Sequence, residues 1–219
     1  MKARTTISAP GRGNASAPSH ADSEASPIVT FTRMDQGTAE DYALLDELAK
    51  PYIAKTGKRV LAYLENIADG FPGYPIDRYR HSLQTASRAL RAGECEEYVV
   101  AALLHDIGDD LSPENHAELG ASVLRPYVAR HTHWMVLQHG LFQGYYYFDK
   151  IGLDANARLR HRDHPAFDMT VHFCDAYDQK SFDPDYDTLA IYHFVPMVER
   201  IFARKPWGEH TTRDWPVQD

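Results

Sequence analysis

The segment that most constrains the fold is YVVAALLHDIG, residues 98–108. Its first seven residues would make every face of a helix apolar, and such a helix must be covered on several sides. We therefore expect a central helix from about Cys95 to Ile107, with Gly108 as a left-handed C-terminal cap. A carboxylate at the end of a buried helix needs a counter-charge, so His105 and Asp106 mark a candidate site.

Helical spacing of apolar residues recurs through most of the chain, and no segment alternates apolar and polar residues as a strand does. Residues 38–69 predict two helices divided near Pro51 and Gly57, and further helices are expected over about 76–92, 112–128, 131–148, 166–180 and 191–203. Ser112 as N-cap and Pro113 at the first helical position would place His116 at the end of a first turn. The sequence predicts an all-α fold.

Two regions are expected along the chain. Residues 1–30 are rich in Ser, Ala, Pro and Gly, which is typical of a disordered tail. Residues 31–219 are long enough for one sizeable core, so we expect a single helical domain with an N-terminal helical extension.

Composition favours a small-molecule partner. The 219 residues carry a formal net charge of −8, which argues against a nucleic-acid or anionic-membrane surface. No apolar run approaches the roughly 20 residues of a membrane span, and the N-terminus lacks the apolar core of a secretory signal. Cys95 and Cys174 have no CxxC spacing and indicate reduced thiols, so we expect a cytoplasmic protein, whose oligomeric state stays open.

Histidines and aspartates recur on successive predicted helices in a pattern that suits a metal site. Iron, manganese and zinc are held by imidazole nitrogen and carboxylate oxygen. The candidate ligands are His81, His105, Asp106, His116, His139 and a carboxylate near residue 178.

Two aspartates compete for the last position. On a helical projection Asp178 lies near the middle of the apolar stripe formed by Phe167, Val171 and Cys174, whereas Asp175 lies toward its edge, so Asp178 is the candidate. His81 lies opposite the apolar face of its own helix, which must therefore be covered on both sides.

The order His81, His105-Asp106, Asp178 resembles the signature of the HD-domain superfamily, over roughly residues 70–182. The segment HAELGASVL from His116, together with the later His139, resembles the extra ligands of dinuclear HD proteins. HSLQTA, residues 81–86, and YDQK, residues 177–180, are similar to the diiron oxygenase branch, which includes myo-inositol oxygenase and an organophosphonate oxygenase.

The resemblance implies an HD-domain helical bundle with a mixed-valent Fe(II)/Fe(III) pair that uses O2 to cleave a C–C or C–P bond of a small hydroxylated polar metabolite. By position, His81, His105, Asp106 and Asp178 would hold one metal and form the catalytic set. Asp106, bridging, would hold the second metal with His116 and His139. Manganese or another divalent metal suits the same ligands.

Three positions depart from these relatives. Gln143 and Asp175 stand where the phosphonate oxygenase has a Lys and an Arg, and Asp109 stands where myo-inositol oxygenase has the Lys of HDxGK. The candidate substrate-binding residues are therefore Asp109, Gln143 and Tyr146. Tyr146 belongs to QGYYYF, residues 143–148, which would suit a cationic amine or quaternary ammonium as an aromatic wall, although tyrosines at such spacing are also typical of a core.

A second class of function stays open at this stage. In a metal-dependent HD phosphohydrolase acting on a nucleotide or phosphate ester, the metals activate water, and basic residues bind phosphate. Arg78, Arg80 and Arg125 are candidates for this role without forming a motif. GFPGYPIDRYR, before His81, suits either a lid over the site or an ordinary connecting loop.

Overall fold

The computed structural model describes residues 27–211. Most of the tail expected over residues 1–30 lies outside this range, as do residues 212–219. Residues 27–211 contain eight α-helices and no β-strand, so the all-α prediction is confirmed. The helices are α1 Ala39–Ile53, α2 Thr56–Leu64, α3 Arg78–Arg91, α4 Glu96–Leu104, α5 His116–Leu124, α6 Arg130–Gln143, α7 Phe167–Ala176 and α8 Val195–Phe202.

The chain divides into two compact units, Met1–Glu47 and Leu48–Asp219. The described part of the first unit holds the start of α1, where the backbone N–H of Thr38 donates to Asp41 at 3.0 Å. The second unit holds the remaining helices and the core described below. The single domain expected over residues 31–219 stays a prediction.

Helix α4 is the centre of the core, as its sequence predicts. Every residue from Tyr98 to Leu104 is buried, and α4 packs against α3, α6 and α8. Helix α3 is also covered on both sides, since residues 81–87 are all buried. Because α4 ends at Leu104, the next two residues, His105 and Asp106, emerge within this packed interior.

A half-buried carboxylate connects three helices of the second unit. Glu97 in α4 accepts hydrogen bonds from the backbone N–H of Ala129 at 2.9 Å and the hydroxyl of Thr132 at 2.8 Å, both at the start of α6. Its second oxygen accepts from Arg204, just past α8. Burial raises the pKa of Glu97, but these donors outweigh burial and hold the pKa below its usual value.

Several helix ends differ from expectation. Pro51 lies inside the last turn of α1 and Gly57 inside α2, so the break falls at residues 54–55. Proline removes only its own N–H bond, and α1 continues until the N–H of Ala54 has bonded to Lys50. Helix α6 ends at Gln143 rather than near residue 148, and α7 ends at Ala176 rather than near residue 180.

The prediction of a left-handed cap at Gly108 is wrong, since the glycines with positive φ within residues 27–211 are at other positions. Gly108 instead permits close packing of α5, because a Cβ atom there would lie 2.6 Å from the carbonyl oxygen of His116. Ser112 and Pro113 are the N-cap and the first residue expected, but of a short 3-10 turn rather than of α5, and the Ser112 side chain makes no capping hydrogen bond. Its hydroxyl bonds to Asn115, residues 113–115 form a 3-10 turn, and His116 is the first residue of α5.

No helix within the described range is long and apolar enough to cross a membrane.

Candidate metal centre

The structure brings the six predicted ligand side chains together at the buried end of α4. His81 lies in the first turn of α3, His105 and Asp106 follow α4, and His116 begins α5. His139 lies in α6, and Asp178 begins a short 3-10 turn after α7. All except His116 are at most 3% exposed.

All four histidines are oriented by backbone carbonyls. Each Nδ1 lies 2.7 or 2.8 Å from a carbonyl oxygen, and because a carbonyl only accepts, each Nδ1 must carry the proton. The pairs are His81 with Ser181, His105 with Ala102, His116 with Pro113, and His139 with Val136. In a neutral imidazole the Nε2 atom is then a free acceptor, as a metal ligand requires.

The Nε2 atoms point toward one another. His81 Nε2 and His105 Nε2 are 3.2 Å apart. Two neutral imidazoles whose protons are held on Nδ1 present two lone pairs across this distance. A cation bound by both lone pairs makes this contact favourable, which supports a metal at this position.

Asp106 lies between two pairs of imidazoles, His81 with His105 (the first half of the centre) and His116 with His139 (the second half). Its Oδ1 atom lies 3.1 Å from His139 Nε2 and 3.3 Å from His116 Nε2. Its Oδ2 atom lies 3.4 Å from His105 Nε2 and 3.5 Å from His81 Nε2. A carboxylate that offers a different oxygen to each of two imidazole pairs has the geometry of a bridge between two cations.

Asp178 completes the first half of the centre. Its Oδ1 atom lies 3.3 Å from His81 Nε2 and accepts a hydrogen bond from Gln143 at 3.0 Å. Its Oδ2 atom is buried without a hydrogen-bond partner among the described residues, and a cation would satisfy it. The competing Asp175 is exposed and accepts from the hydroxyl of Tyr146 at 3.1 Å.

The two carboxylates of the cluster are ionised. Burial raises the pKa of Asp106, but His105, His139 and His81 outweigh it and hold the pKa well below the usual value. The pKa of Asp178 is lowered in the same way, burial being outweighed by His105 and His81. Both carboxylates are therefore ionised, and the chemistry of the donor set fits metal ions of intermediate hardness.

Within residues 27–211, three groups of donors have ligand atoms within 4.8 Å of one another. They are His81, His105 and Asp106; His105, His139 and Asp178; and Asp106, His116 and His139. Residues of the predicted set recur in more than one group, so the donors form one continuous cluster.

A cavity of about 380 Å³ opens above the cluster. Asp106, His116, His139 and Asp178 contribute to its lining, so the candidate ligands are accessible to a small molecule. The aromatic side chains around it are Tyr74, Tyr146, Tyr147 and Phe182.

The predicted substrate-binding residues have different positions relative to this cavity. Gln143 and Tyr146 line it, whereas Asp109 lies behind its wall, with its Oδ2 atom 3.5 Å from Arg78 Nε. Tyr145 of the expected aromatic wall does not line it either and packs under the guanidinium of Arg158, 3.7 Å from the ring centroid.

Two aromatic residues of the wall were not singled out from the sequence. Tyr74 lies in the loop GFPGYP, and Phe182 follows the segment YDQKS. The Phe182 ring stacks on the imidazole of His81 at 4.4 Å and lies 4.8 Å from the ring of Tyr74. Their proximity to the ligand motifs in the sequence is the signal that would have indicated them.

One of the three basic candidates reaches the site. Arg78 lines the cavity, and its Nη1 atom lies 3.4 Å from Asp106 Oδ2. Arg80 instead donates to the carbonyl of Pro184 at 2.6 Å, and Arg125 lies 5.6 Å from the ring centroid of Trp207.

Comparison with known proteins agrees with this geometry. Residues 78–180 match the family model for the HD domain, and this range contains all six side chains of the cluster. The chain is also similar to the [1-hydroxy-2-(trimethylamino)ethyl]phosphonate dioxygenase (glycine-betaine-forming) of Leisingera caerulea. The two are 26% identical over 192 residues, which cover 70% of this chain and 96% of the relative.

Proposed function

We propose that this chain, whose residues 78–180 match the HD domain, is a non-haem diiron oxygenase of the HD type. Its reaction is the O2-dependent oxidative cleavage of a C–C or C–P bond in a small hydroxylated polar metabolite. The similarity to a dioxygenase supports the oxygenase class.

The observation that carries the proposal is the position of Asp106 between two imidazole pairs. His81, His105 and Asp178 would hold one iron, His116 and His139 the other, and Asp106 would be shared. Two bound irons supply O2 binding and one-electron oxidation, which protein side chains alone do not provide.

The chain's own residues position and protect this chemistry. The carbonyl partners of the four Nδ1 atoms keep the Nε2 atoms deprotonated and aimed inward. Gln143 holds Asp178 in place by its 3.0 Å hydrogen bond. His116 and Asp178 contribute one ligand of each half to the cavity lining, so a substrate hydroxyl that enters can approach both halves.

The cavity wall supports a substrate that carries a cationic amine. Four aromatic rings surround the opening, and a quaternary or protonated amine is attracted to aromatic faces. Asp175 adds negative charge behind Tyr146, whose hydroxyl donates a hydrogen bond to it. The relative's name describes a substrate with a trimethylamino group, which agrees with this class.

Metal analysis combined with EPR tests the proposal. Protein purified without added metal and then partly reduced should contain two irons per chain and show the signal of an antiferromagnetically coupled Fe(II)/Fe(III) pair. Hydroxylated amines and aminophosphonates should then stimulate O2 uptake. Zinc, manganese or one metal per chain, with no such signal, would contradict the oxygenase.

A metal-dependent phosphohydrolase is the second candidate, and the position of Arg78 favours it. A guanidinium that lines a cavity beside two metals can bind a phosphate ester while the metals activate water. Release of phosphate from nucleotides or phosphate esters by the manganese-loaded protein, without O2 uptake on any amine, would support this function instead.

A further inference from the structure

Arg78 is the one arginine or lysine that lines the cavity above the cluster, among the residues that the structure describes. Cations expected from the diiron relatives are replaced by Gln143, Asp175 and Asp109. The side chain of Arg78 is 18% exposed, so the guanidinium lies against the wall rather than in solvent. The cavity therefore has one positive group, and it comes from the first residue of α3.

The guanidinium is held between two carboxylates. Its Nη1 atom lies 3.4 Å from Asp106 Oδ2, and its Nε atom lies 3.5 Å from Asp109 Oδ2. Its carbon also lies 4.9 Å from the ring centroid of Tyr74. These contacts therefore use the Nε atom, which faces Asp109, and the Nη1 amino group, which faces Asp106.

The second amino group is available to a ligand. No hydrogen bond from Arg78 Nη2 is present within residues 27–211, although a guanidinium carries five N–H donors. The Nε atom is buried and faces Asp109 at ion-pair distance, so the free donors are those of the Nη2 group. Arg78 therefore retains donors for an acceptor that the protein does not provide.

Asp109 explains why Arg78 stays at the wall. Its side chain is buried, and a buried carboxylate requires a cationic partner. Arg78 is the cation at ion-pair distance from it. Asp109 is also tied to the metal cluster through its backbone, since its N–H donates to the carbonyl of Asp106 at 2.9 Å.

We propose that Arg78 binds an anionic group of the substrate, a carboxylate, phosphonate or phosphate, and that Asp109 positions Arg78 for this contact. The proposal deepens the proposed function, on which it rests for the use of the same cavity. The fork of a guanidinium matches two oxygens of such an anion. Because Arg78 lies beside Asp106, the anion is bound next to the metal ligands, with the aromatic rings left for the cationic end of a zwitterion.

Binding of inorganic phosphate to the purified holoprotein, measured by isothermal titration calorimetry, tests the role of Arg78. Losing a hydrogen-bonded charged group weakens binding by about tenfold to a hundredfold, so Arg78→Gln should lower phosphate affinity by that factor. Arg78→Lys keeps the charge but loses the forked pair of N–H donors, so its phosphate affinity should lie between those of wild type and Arg78→Gln. Arg91→Gln is the matched control, because Arg91 is also in α3 and pairs with an aspartate, Asp187, but does not line the cavity.

A double-mutant cycle tests the positioning role of Asp109. Asp109→Asn should weaken phosphate binding in the wild-type background and have no further effect when Arg78 is already glutamine. A merely structural role would produce the same loss in both backgrounds. Circular dichroism on each variant establishes that the helices are retained.

The outcomes separate this proposal from the proposed function. Metal content and EPR, measured on every variant, report on the diiron centre. They are separate from the comparison of phosphate affinity between wild type and Arg78→Gln. Equal phosphate affinity in wild type and Arg78→Gln would overturn the role of Arg78, as would no binding to wild type at millimolar phosphate. An equal loss from Asp109→Asn in both backgrounds would overturn the role of Asp109.

Discussion

Replacing Gly108 with alanine should displace His116 and weaken the second half of the metal centre. A Cβ atom at residue 108 would lie 2.6 Å from the carbonyl oxygen of His116, 3.0 Å from its Cα and 2.9 Å from the Cβ of Leu119. An ordinary contact begins at 3.4 Å, so the first turn of α5 must move by about 0.8 Å. Metal sites tolerate ligand displacements of about 0.2 Å, several times less than this movement.

The expected result is a loss of metal with a moderate loss of stability. Overpacking of this kind costs about 1–3 kcal/mol of unfolding free energy, and about 2–4 °C in Tm accompanies each kcal/mol for a chain of this size. Metal per chain should fall from two toward one in elemental analysis, because His81, His105 and Asp178 lie outside α5. Thermal unfolding of metal-free protein measures the stability cost separately.

Gly140→Ala is the matched control, since it adds the same methyl group beside another ligand, His139. A Cβ atom there would have no neighbour within 4 Å, and alanine favours a helix by up to about 1 kcal/mol over glycine. This variant should keep both metals and unfold at the same or a higher temperature. If Gly108→Ala also kept two metals and wild-type stability, the close approach of α5 would not be what positions His116.

Three further predictions concern the centre, the fold and the cavity. His116→Ala and His139→Ala should each remove one metal per chain while circular dichroism stays helical, and two metals retained in both variants would contradict a dinuclear site. Glu97→Gln should cost about 1–2 kcal/mol at neutral pH, since the pair is partly exposed. The lowered pKa of Glu97 means that this stability is present above its unfolded pKa, about 4.3, and is lost as pH falls through the folded value, so the Tm difference from wild type should shrink only in acid. Tyr146→Leu should weaken binding of tetramethylammonium by about twofold to thirtyfold in calorimetry, whereas Tyr145→Leu, outside the cavity lining, should not.

Sequence patterns predicted the helical elements well where the pattern is local. The all-round apolar run of α4 requires burial on every side, and the structure shows this for each residue from Tyr98 to Leu104. The ends of helices were less predictable. Gly108 has the composition of a left-handed cap, but its conformation is decided by the approach of α5, which no local pattern contains.

Asp178 shows how a predicted position and its reason can differ. The expectation rests on a helix that continues to residue 180, whereas α7 ends at Ala176 and a 3-10 turn places Asp178 inward. The structure puts Asp178, rather than Asp175, beside the imidazoles because Gln143 and the turn hold it there. That Asp178 is a ligand stays a prediction until metal is measured.

The sequence by itself determined the helical class, the central place of α4 and the kinds of donor atoms available, since helical periodicity and ligand chemistry are local properties of residues. Only the tertiary structure decided which atoms meet. The Nδ1 atom of His81 bonds to the carbonyl of Ser181, 100 residues away, and Asp109, a candidate substrate-binding residue, pairs with Arg78. Such contacts depend on how helices distant in sequence pack against one another, and the spacing of residues along the chain does not contain that information.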